Sequence, residues 1–302
     1  MAKKPKEVKE IVVEVVPIEV AYLKAHLIGT GALFEDDEGG MIMHRFSWKA
    51  WTELLFPSPP KNRAERADKL KHDPLQEYRE CFYKNRDPKT PSMFHLPNGM
   101  IGKAIAAAAL DTPESSSKAE ISRWVQVVGQ INLFGIPTLR MDMVRQGGIS
   151  RTPDVRTRPY FTQWACEINI RYVKPMLNEV KVANLLASAG VIVGVGDWRP
   201  QKGGTCGTFE VVLANDPRYL AIVKNQGRAA QQAAFDNPSF HDDNTADLYR
   251  WFYDELERRG REAPSSDDDD ESYELEQAPT DDAFAEAAAA RRGRGNGRRV
   301  SE

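Results

Sequence analysis

The chain contains 302 residues, of which 41% are hydrophobic and 28% charged, and its formal net charge is −3. This length and composition fit one or two folded domains and exclude a wholly disordered chain. No run of about 18 apolar residues occurs, so we expect no membrane-spanning helix, no membrane partner and a cytoplasmic location. The three cysteines lie far apart without the spacing of a zinc site or a disulfide framework, so we expect reduced thiols.

The charges are divided unevenly along the chain. Residues 264–286 contain ten acidic residues and no basic ones, and residues 287–302 contain five arginines and one acid. Blocks of like charge with few large apolar side chains cannot offset the entropy of ordering. We therefore predict a disordered arm over residues 1–10, a folded domain over 11–260, and a disordered acidic and then Arg/Gly-rich tail over 261–302.

The first elements of the domain are predicted from β-branched residues and proline. Residues 11–28 are rich in valine and isoleucine, and Pro17 divides them into a short strand and a longer strand that begins at residue 18. The acidic, glycine-containing residues 35–40 are typical of a loop. Ser47 is a predicted helix N-cap because tryptophans and leucines follow it at helical spacing.

Residues 61–95 are polar and helix-prone, and we interpret residues 61–130 as a helical insertion. Pro74 suits the first position of a helix after Asp73 as its N-cap. Asn98 is the predicted N-cap of an alanine-rich helix over residues 99–110.

The second half of the chain alternates strand and helix patterns. Period-two alternation predicts strands, and apolar positions at helical spacing predict helices. Gly190 suits the left-handed position that follows a helix, and Asn244 is the predicted cap of the last helix. The predicted strands are 125–128, 131–134, 138–145, 160–173, 191–195 and 208–213, and the predicted helices are 178–189 and 247–259.

An arginine-rich stretch over residues 138–174 carries seven basic and three acidic residues. The planar guanidinium fork matches phosphate geometry, and aromatic rings beside it can stack on bases. The alternative is a solvated loop whose arginines only maintain solubility. The candidate nucleic-acid-binding residues here are Arg140, Arg145, Arg151, Arg156, Arg158, Tyr160, Phe161 and Arg171.

The most distinctive string is GVGDWRPQKGGTCGTF, residues 194–209. It is neither a Walker loop nor a Rossmann fingerprint, because no Lys-Ser/Thr pair and no helix follow its glycines. We interpret it as a glycine-bracketed hairpin whose tip binds phosphates and a base. The alternative is a structural turn with its tryptophan in the core. The candidate residues are Trp198, Arg199, Lys202, Gly203 and Gly204.

Catalytic and metal motifs are absent from the sequence. None of the five histidines has the spacing of a zinc enzyme, and no nucleophile elbow occurs. We therefore expect no metal and no cofactor. His44, beside Arg45, is a candidate general acid or base for metal-independent RNA cleavage. Its alternative is a partly buried histidine at a helix start.

Five glycines follow a predicted strand and helix: Gly194, Gly196, Gly203, Gly204 and Gly207. Their pattern resembles the glycine-rich loop of the RAMP superfamily of CRISPR effector proteins. The ensemble is also similar to uncharacterised bacteriophage early-region proteins. The resemblance implies an α+β fold: a ferredoxin-like (RRM-like) antiparallel sheet with helices on one face. It also implies that the glycine loop lies against RNA and that the arginine-rich stretch is similar to the thumb of guide-coating subunits.

These features favour a non-enzymatic single-stranded DNA- or RNA-binding protein. We expect it to be phage-encoded, to act in replication or recombination in the host cytoplasm, and to coat a strand as an oligomer. The Arg/Gly-rich end is typical of single-strand binding, and the acidic block is a candidate site for a protein partner. Two alternatives stay open: a RAMP-like metal-independent endoribonuclease with His44, and a phage structural or assembly protein.

Overall fold

The computed structural model describes residues 17–30, 40–45, 72–111, 117–145 and 153–260. The chain divides into two compact units, of which the first ends at Phe252 and the second begins at Tyr253. The predicted arm over residues 1–10, the tail over 261–302 and the helix predicted after Ser47 lie outside the described residues. No helix among the described residues has the length and apolarity to cross a membrane.

The described residues form nine strands and seven α-helices. The strands are β1 Glu19–Gly29, β2 Met41–Ile42, β3 Phe94–Leu96, β4 Val125–Val128, β5 Ile131–Phe134, β6 Pro137–Arg145, β7 Pro153–Phe161, β8 Ala165–Lys174 and β9 Phe209–Val212. The helices are α1 Pro74–Glu80, α2 Asn98–Ala108, α3 Lys118–Trp124, α4 Glu179–Ser188, α5 Pro217–Asn225, α6 Arg228–Asp236 and α7 Asp243–Arg258. A π-helical turn, Ala189–Val193, and a 3-10 turn, Pro200–Lys202, lie between α4 and β9.

The larger sheet has six strands in the order β3-β5-β8-β1-β9, and β4 also pairs with β8. All of its pairings are antiparallel. Because β8 and β9 are both antiparallel to β1, they run parallel to each other, and α4 connects them. The prediction of a mixed α+β fold with an antiparallel sheet is confirmed.

Helices cover both faces of this sheet. Leu27 of β1 and Ile168 of β8 belong to the main core with Ile101 of α2. On the opposite face, Ile28 of β1 packs with Tyr219 of α5. The prediction of helices on one face alone is therefore wrong, because Ile28 at the end of β1 is apolar on the second face and is buried there under α5.

A second sheet has the order β2-β7-β6. β6 and β7 form a hairpin, paired from Pro137 with Phe161 to Arg145 with Pro153. The predicted strand over 160–173 is two strands instead: the chain leaves the small sheet after Phe161 and enters the large sheet at Ala165. The arginine-rich stretch is therefore largely strand, not loop.

Several predicted helix starts shift. The Asp73 cap is confirmed, since its Oδ1 accepts from the backbone N–H of Gln76 at 3.1 Å. Asn98 is the first residue of α2 rather than its cap, and the cap position is Pro97. α7 begins at Asp243, and Asp242 rather than Asn244 accepts from a backbone N–H in its first turn, that of Thr245.

The described part of the predicted insertion builds the core. Tyr78, Phe82 and Phe94 are fully buried, and the rings of Phe82 and Phe94 stack at 4.1 Å. Large apolar side chains in a polar stretch pack inward once its helix and strand lie against the sheets. These residues join the two sheets through one hydrophobic core.

The His72 side chain connects α1 to the start of β7 by hydrogen bonds. Its Nδ1 lies 2.8 Å from Glu77 Oε1, and its Nε2 lies 3.0 Å from Asp154 Oδ1. The hydrogen bond with Glu77, followed by the charges of Glu77 and Asp154, raises the pKa of His72 against the opposing effect of burial. Both ring nitrogens donate in the protonated form, so this contact is strongest at low pH.

Candidate nucleic-acid interface

The short strand β2 brings the arginine-rich hairpin and the glycine-rich segment together. Ile42 pairs with Tyr160 of β7 on one side, and its carbonyl oxygen accepts from the N–H of Asp197 at 3.0 Å on the other. The chain beyond β2 then carries His44 to the same region as Arg158. Two stretches that are distant in the sequence therefore meet at β2.

The glycine-rich segment folds back on itself as an irregular loop without regular strands: the N–H of Val195 donates to Gly207 O at 2.8 Å and the N–H of Cys206 donates to Trp198 O at 2.9 Å. The predicted strand over 191–195 is a π-helical turn that ends before Gly194, and a 3-10 turn follows at Pro200–Lys202. Gly190 is not left-handed; it is required because a Cβ there would lie 1.9 Å from the carbonyl oxygen of Phe209. Gly207 combines a φ of +76° with a position where a Cβ would lie 1.7 Å from Val195 O. These close approaches fold the segment onto its neighbours.

An ion-pair chain links the hairpin to this loop. Arg158 donates from Nη2 to Asp142 at 2.7 Å and from Nη1 to Asp197 at 2.9 Å, and its side chain is only 8% exposed. Arg140 donates from Nε to Asp142 at 2.8 Å. Both predicted phosphate ligands are thus engaged in internal ion pairs, because Asp142 on β6 and Asp197 in the loop reach their guanidinium groups.

The aromatic candidates differ in their exposure. Tyr160 is 2% exposed, and its hydroxyl accepts from the N–H of Gly40 at 2.8 Å. Phe161 is fully buried, with its ring edge-on to Phe82. Neither ring has a face open to a base. Trp198 is 58% exposed, so the alternative of a core tryptophan is wrong, and its φ of +54° is a strained conformation for a bulky residue.

The remaining candidates are scattered. Arg145 is exposed at the end of β6, and Arg151 lies outside the described residues. Arg171 lies on the face of β8 that looks away from α2 and donates to Gln126 Oε1 at 2.7 Å. Arg199 donates to Gly196 O at 2.9 Å. Lys202 and Gly203 are exposed and Gly204 is half-buried beside the 3-10 turn.

A cleft of about 440 Å³ lies between the start of α2 and the glycine-rich loop. Gly194, Val195, Gly196, Asp197 and Arg199 line one side, and Pro97, Gly99, Met100 and Lys103 line the other. His44, Tyr83 and Lys118 also line it. The cleft is therefore lined by residues from the segment after β2, from α2 and α3, and from the glycine-rich loop. Sequence reasoning identified two of these residues, His44 and Arg199.

Lys103 and Lys118 are the functional candidates that sequence reasoning missed. Both are exposed, and neither ammonium group has a carboxylate partner among the residues that the structure describes. Lys103 follows Gly99 by four residues, which places both on one face of α2. That spacing is the signal in the sequence, but nothing local indicates that this face borders a cleft.

The electrostatics of the cleft favour an anion. Lys103, Lys118 and Arg199 contribute positive charge, and the carboxylate of Asp197 is already balanced by Arg158. The cap position of α2, Pro97, provides no side-chain hydrogen bond. The first backbone N–H groups of α2 add a partial positive charge at the cleft wall.

His44 is a titratable residue that lines the cleft. Its Nδ1 lies 3.8 Å from Asp197 Oδ2. Burial lowers the pKa of His44, Asp197 opposes this, and the charges of Arg156 and Arg158 lower it further. Imidazole that is neutral at pH 7 can accept a proton.

The described residues contain no group of three or more His, Cys, Asp or Glu side chains arranged to hold a metal ion. Compared with known proteins, the sequence matches no protein-family model and no curated protein.

Proposed function

We propose that this protein binds single-stranded nucleic acid and that the cleft between α2 and the glycine-rich loop holds the phosphates. The observation that carries the proposal is the convergence of Lys103, Lys118 and Arg199 on one concave surface whose aspartate, Asp197, is neutralised by Arg158. Cations gathered around a cleft raise the local concentration of a polyanion.

The size and surroundings of the cleft support a nucleotide-sized occupant. A volume of about 440 Å³ is in the range of pockets that hold small ligands. Trp198 adjoins the cleft residues Asp197 and Arg199 in the chain, and its exposed indole is available for stacking. Its positive φ suggests that the loop holds the ring outward at an energetic cost, as strained residues at functional sites do.

The strand order supports our further proposal that the fold is ferredoxin-like and related to the RAMP superfamily. β9, β1, β8 and β4 are neighbours in that order. β4 follows the α2–α3 pair and runs parallel to β1, and β8 lies between these two strands. α4 connects β8 to β9, and β1 lies between that second pair of strands. Two such split crossovers define a ferredoxin-like sheet.

Fluorescence anisotropy with labelled single-stranded DNA and RNA at several salt concentrations tests this function. Wild type is expected to bind at low salt, and the K103A/K118A variant is expected to bind more weakly. Each lost phosphate contact reduces the log–log salt slope by about 0.7. The matched control is Lys224→Ala, because Lys224 is exposed on α5 across the sheet. Absence of wild-type binding at low salt would refute the proposal.

A metal-independent endoribonuclease is the second candidate, and the neutral imidazole of His44 in the cleft favours it. In that reaction His44 accepts the proton of a ribose 2′-hydroxyl. The 2′-oxygen then bonds to the adjacent phosphorus, and the bond to the 5′-oxygen breaks, with water protonating that oxygen. The products are a 2′,3′-cyclic phosphate and a 5′-hydroxyl.

RNA cleavage in EDTA distinguishes the enzyme from the binding protein. Cyclic phosphate ends that appear with wild type, disappear with His44→Ala and persist with Lys224→Ala would support the enzyme. A single 2′-deoxy nucleotide at the cleaved position should block the reaction, because the nucleophile is absent. Intact RNA after prolonged incubation with wild type would exclude it.

A further inference from the structure

A second recess lies on the other side of the start of α2. It is wider and shallower than the cleft, with a volume of about 740 Å³, and its lining includes Arg86, His95, Asn98 and Gln130. Pro97 lines both the cleft and this recess. The two concave surfaces are therefore adjacent and are separated by the first residues of α2.

Two rings connect the surfaces beneath that boundary. Tyr83 lines the cleft, His95 lines the recess, and their ring centroids lie 5.9 Å apart. The guanidinium of Arg45 lies 5.8 Å from the centre of the Tyr83 ring and adds positive charge between the two surfaces. Burial and the charge of Arg45 lower the pKa of His95, so its imidazole is neutral at pH 7.

Arg86 is the cation of the recess that is available to a ligand. Its side chain is exposed and has no carboxylate partner among the residues that the structure describes. The other cation, Lys84, lies with its Nζ 4.0 Å from the ring of Phe235. The carboxylate of Asp87 accepts from the backbone N–H of Lys89 at 2.8 Å, which turns it back into its own loop.

The floor of the recess is fixed by a network of amides. Asn85 Nδ2 donates to Ser92 O at 2.8 Å and to Asn132 Oδ1 at 3.0 Å. Gln130 Nε2 donates to Asn85 Oδ1 at 2.6 Å, which orients the exposed Gln130 side chain in the recess that Arg86 also lines. A surface that is ordered before binding loses less entropy when a ligand arrives.

We propose that the strand held in the cleft continues over Pro97 and Asn98 into this recess, where Arg86 binds a further phosphate. This inference rests on the proposed function and adds the direction of the strand and the length of the site. A chain of phosphates suits two adjacent concave surfaces that share Pro97 as a wall, since the cleft presents Lys103 and Lys118 and the recess presents Arg86. A separate mononucleotide site would not require that continuity.

Two oligonucleotide lengths test the path, about 4 and about 12 nucleotides, which span the usual site sizes of single-strand-binding folds. Wild type is expected to bind the longer oligonucleotide more tightly. Arg86→Ala should weaken binding of the longer one roughly tenfold, lower its salt slope by about 0.7 and leave the shorter one unchanged. Lys103→Ala should weaken both, and Arg250→Ala, at an exposed position on α7, should weaken neither.

The outcomes separate the two proposals. If both lengths bind wild type and Arg86→Ala changes neither, the path is refuted and the cleft stands. If Arg86→Ala weakens binding of both oligonucleotides equally while its circular dichroism spectrum matches that of wild type, Arg86 does not bind a phosphate that only the longer oligonucleotide reaches. The path is then again refuted. If neither oligonucleotide binds wild type at low salt, the proposed function itself fails.

Discussion

Arg158 connects the hairpin to the glycine-rich loop, and its replacement by methionine tests how much that connection stabilises the protein. The methionine side chain keeps most of the apolar stem in a site that is only 8% exposed, but it removes two hydrogen-bonded ion pairs. The carboxylates of Asp142 and Asp197 then lose a cation without gaining another. The expected result is destabilisation and a loosened loop.

The magnitude follows from the exposure of the groups left behind. Removing one partner of a buried ion pair costs about 3–5 kcal/mol when the other stays buried. Asp142 keeps its contact with Arg140, and the side chain of Asp197 is 38% exposed, so water compensates part of the loss. We therefore expect about 2–3 kcal/mol of lost unfolding free energy, which corresponds to roughly 5–10 °C in Tm for a domain of this size.

Urea unfolding followed by circular dichroism measures the effect. Arg145→Met is the matched control, because Arg145 is exposed at the end of β6 and its loss should change stability by less than about 0.5 kcal/mol. Adding Asp197→Asn to the Arg158→Met variant should restore part of the stability by removing one uncompensated charge. If Arg158→Met is no less stable than the control, the ion-pair chain does not hold the loop.

Three further predictions concern single residues. Gly207→Ala should cost about 3 kcal/mol or more in urea unfolding, whereas Gly203→Ala, with a φ of +78° but open space around it, should cost only about 1 kcal/mol; equal costs would contradict the close approach. Because the pKa of His72 is raised in the folded protein, the stabilisation by protonated His72 is complete below about pH 6.5 and is lost as the pH rises through the pKa of the folded state. The unfolding free energy of wild type should therefore fall towards that of His72→Gln as the pH rises. A difference in unfolding free energy that widens with pH would contradict this. Arg156→Gln should raise the pKa of His44 in an NMR titration, since the charge of Arg156 lowers it, and an unchanged value would exclude that proximity.

The local signals in the sequence were sufficient for several elements. The alternation over 138–145 and the apolar run over 208–213 correspond to β6 and β9, and Asp73 caps the helix that Pro74 begins. Each of these depends on hydrogen bonds and side-chain periods within a few residues, which the sequence states directly. Asp242 takes the capping role predicted for Asn244, whereas α2 begins at Asn98 itself and its cap position, Pro97, makes no side-chain hydrogen bond.

The site depended on contacts between distant residues. Arg158 and Asp197 are 39 positions apart, and only the insertion of β2 between β7 and the glycine-rich loop makes them partners. The same packing buries Tyr160 and brings Lys103 to the cleft. The sequence by itself determined the residue types, the charge and most local elements, whereas tertiary structure decided which cations remain available, because an aspartate neutralises only the arginine that the fold places beside it.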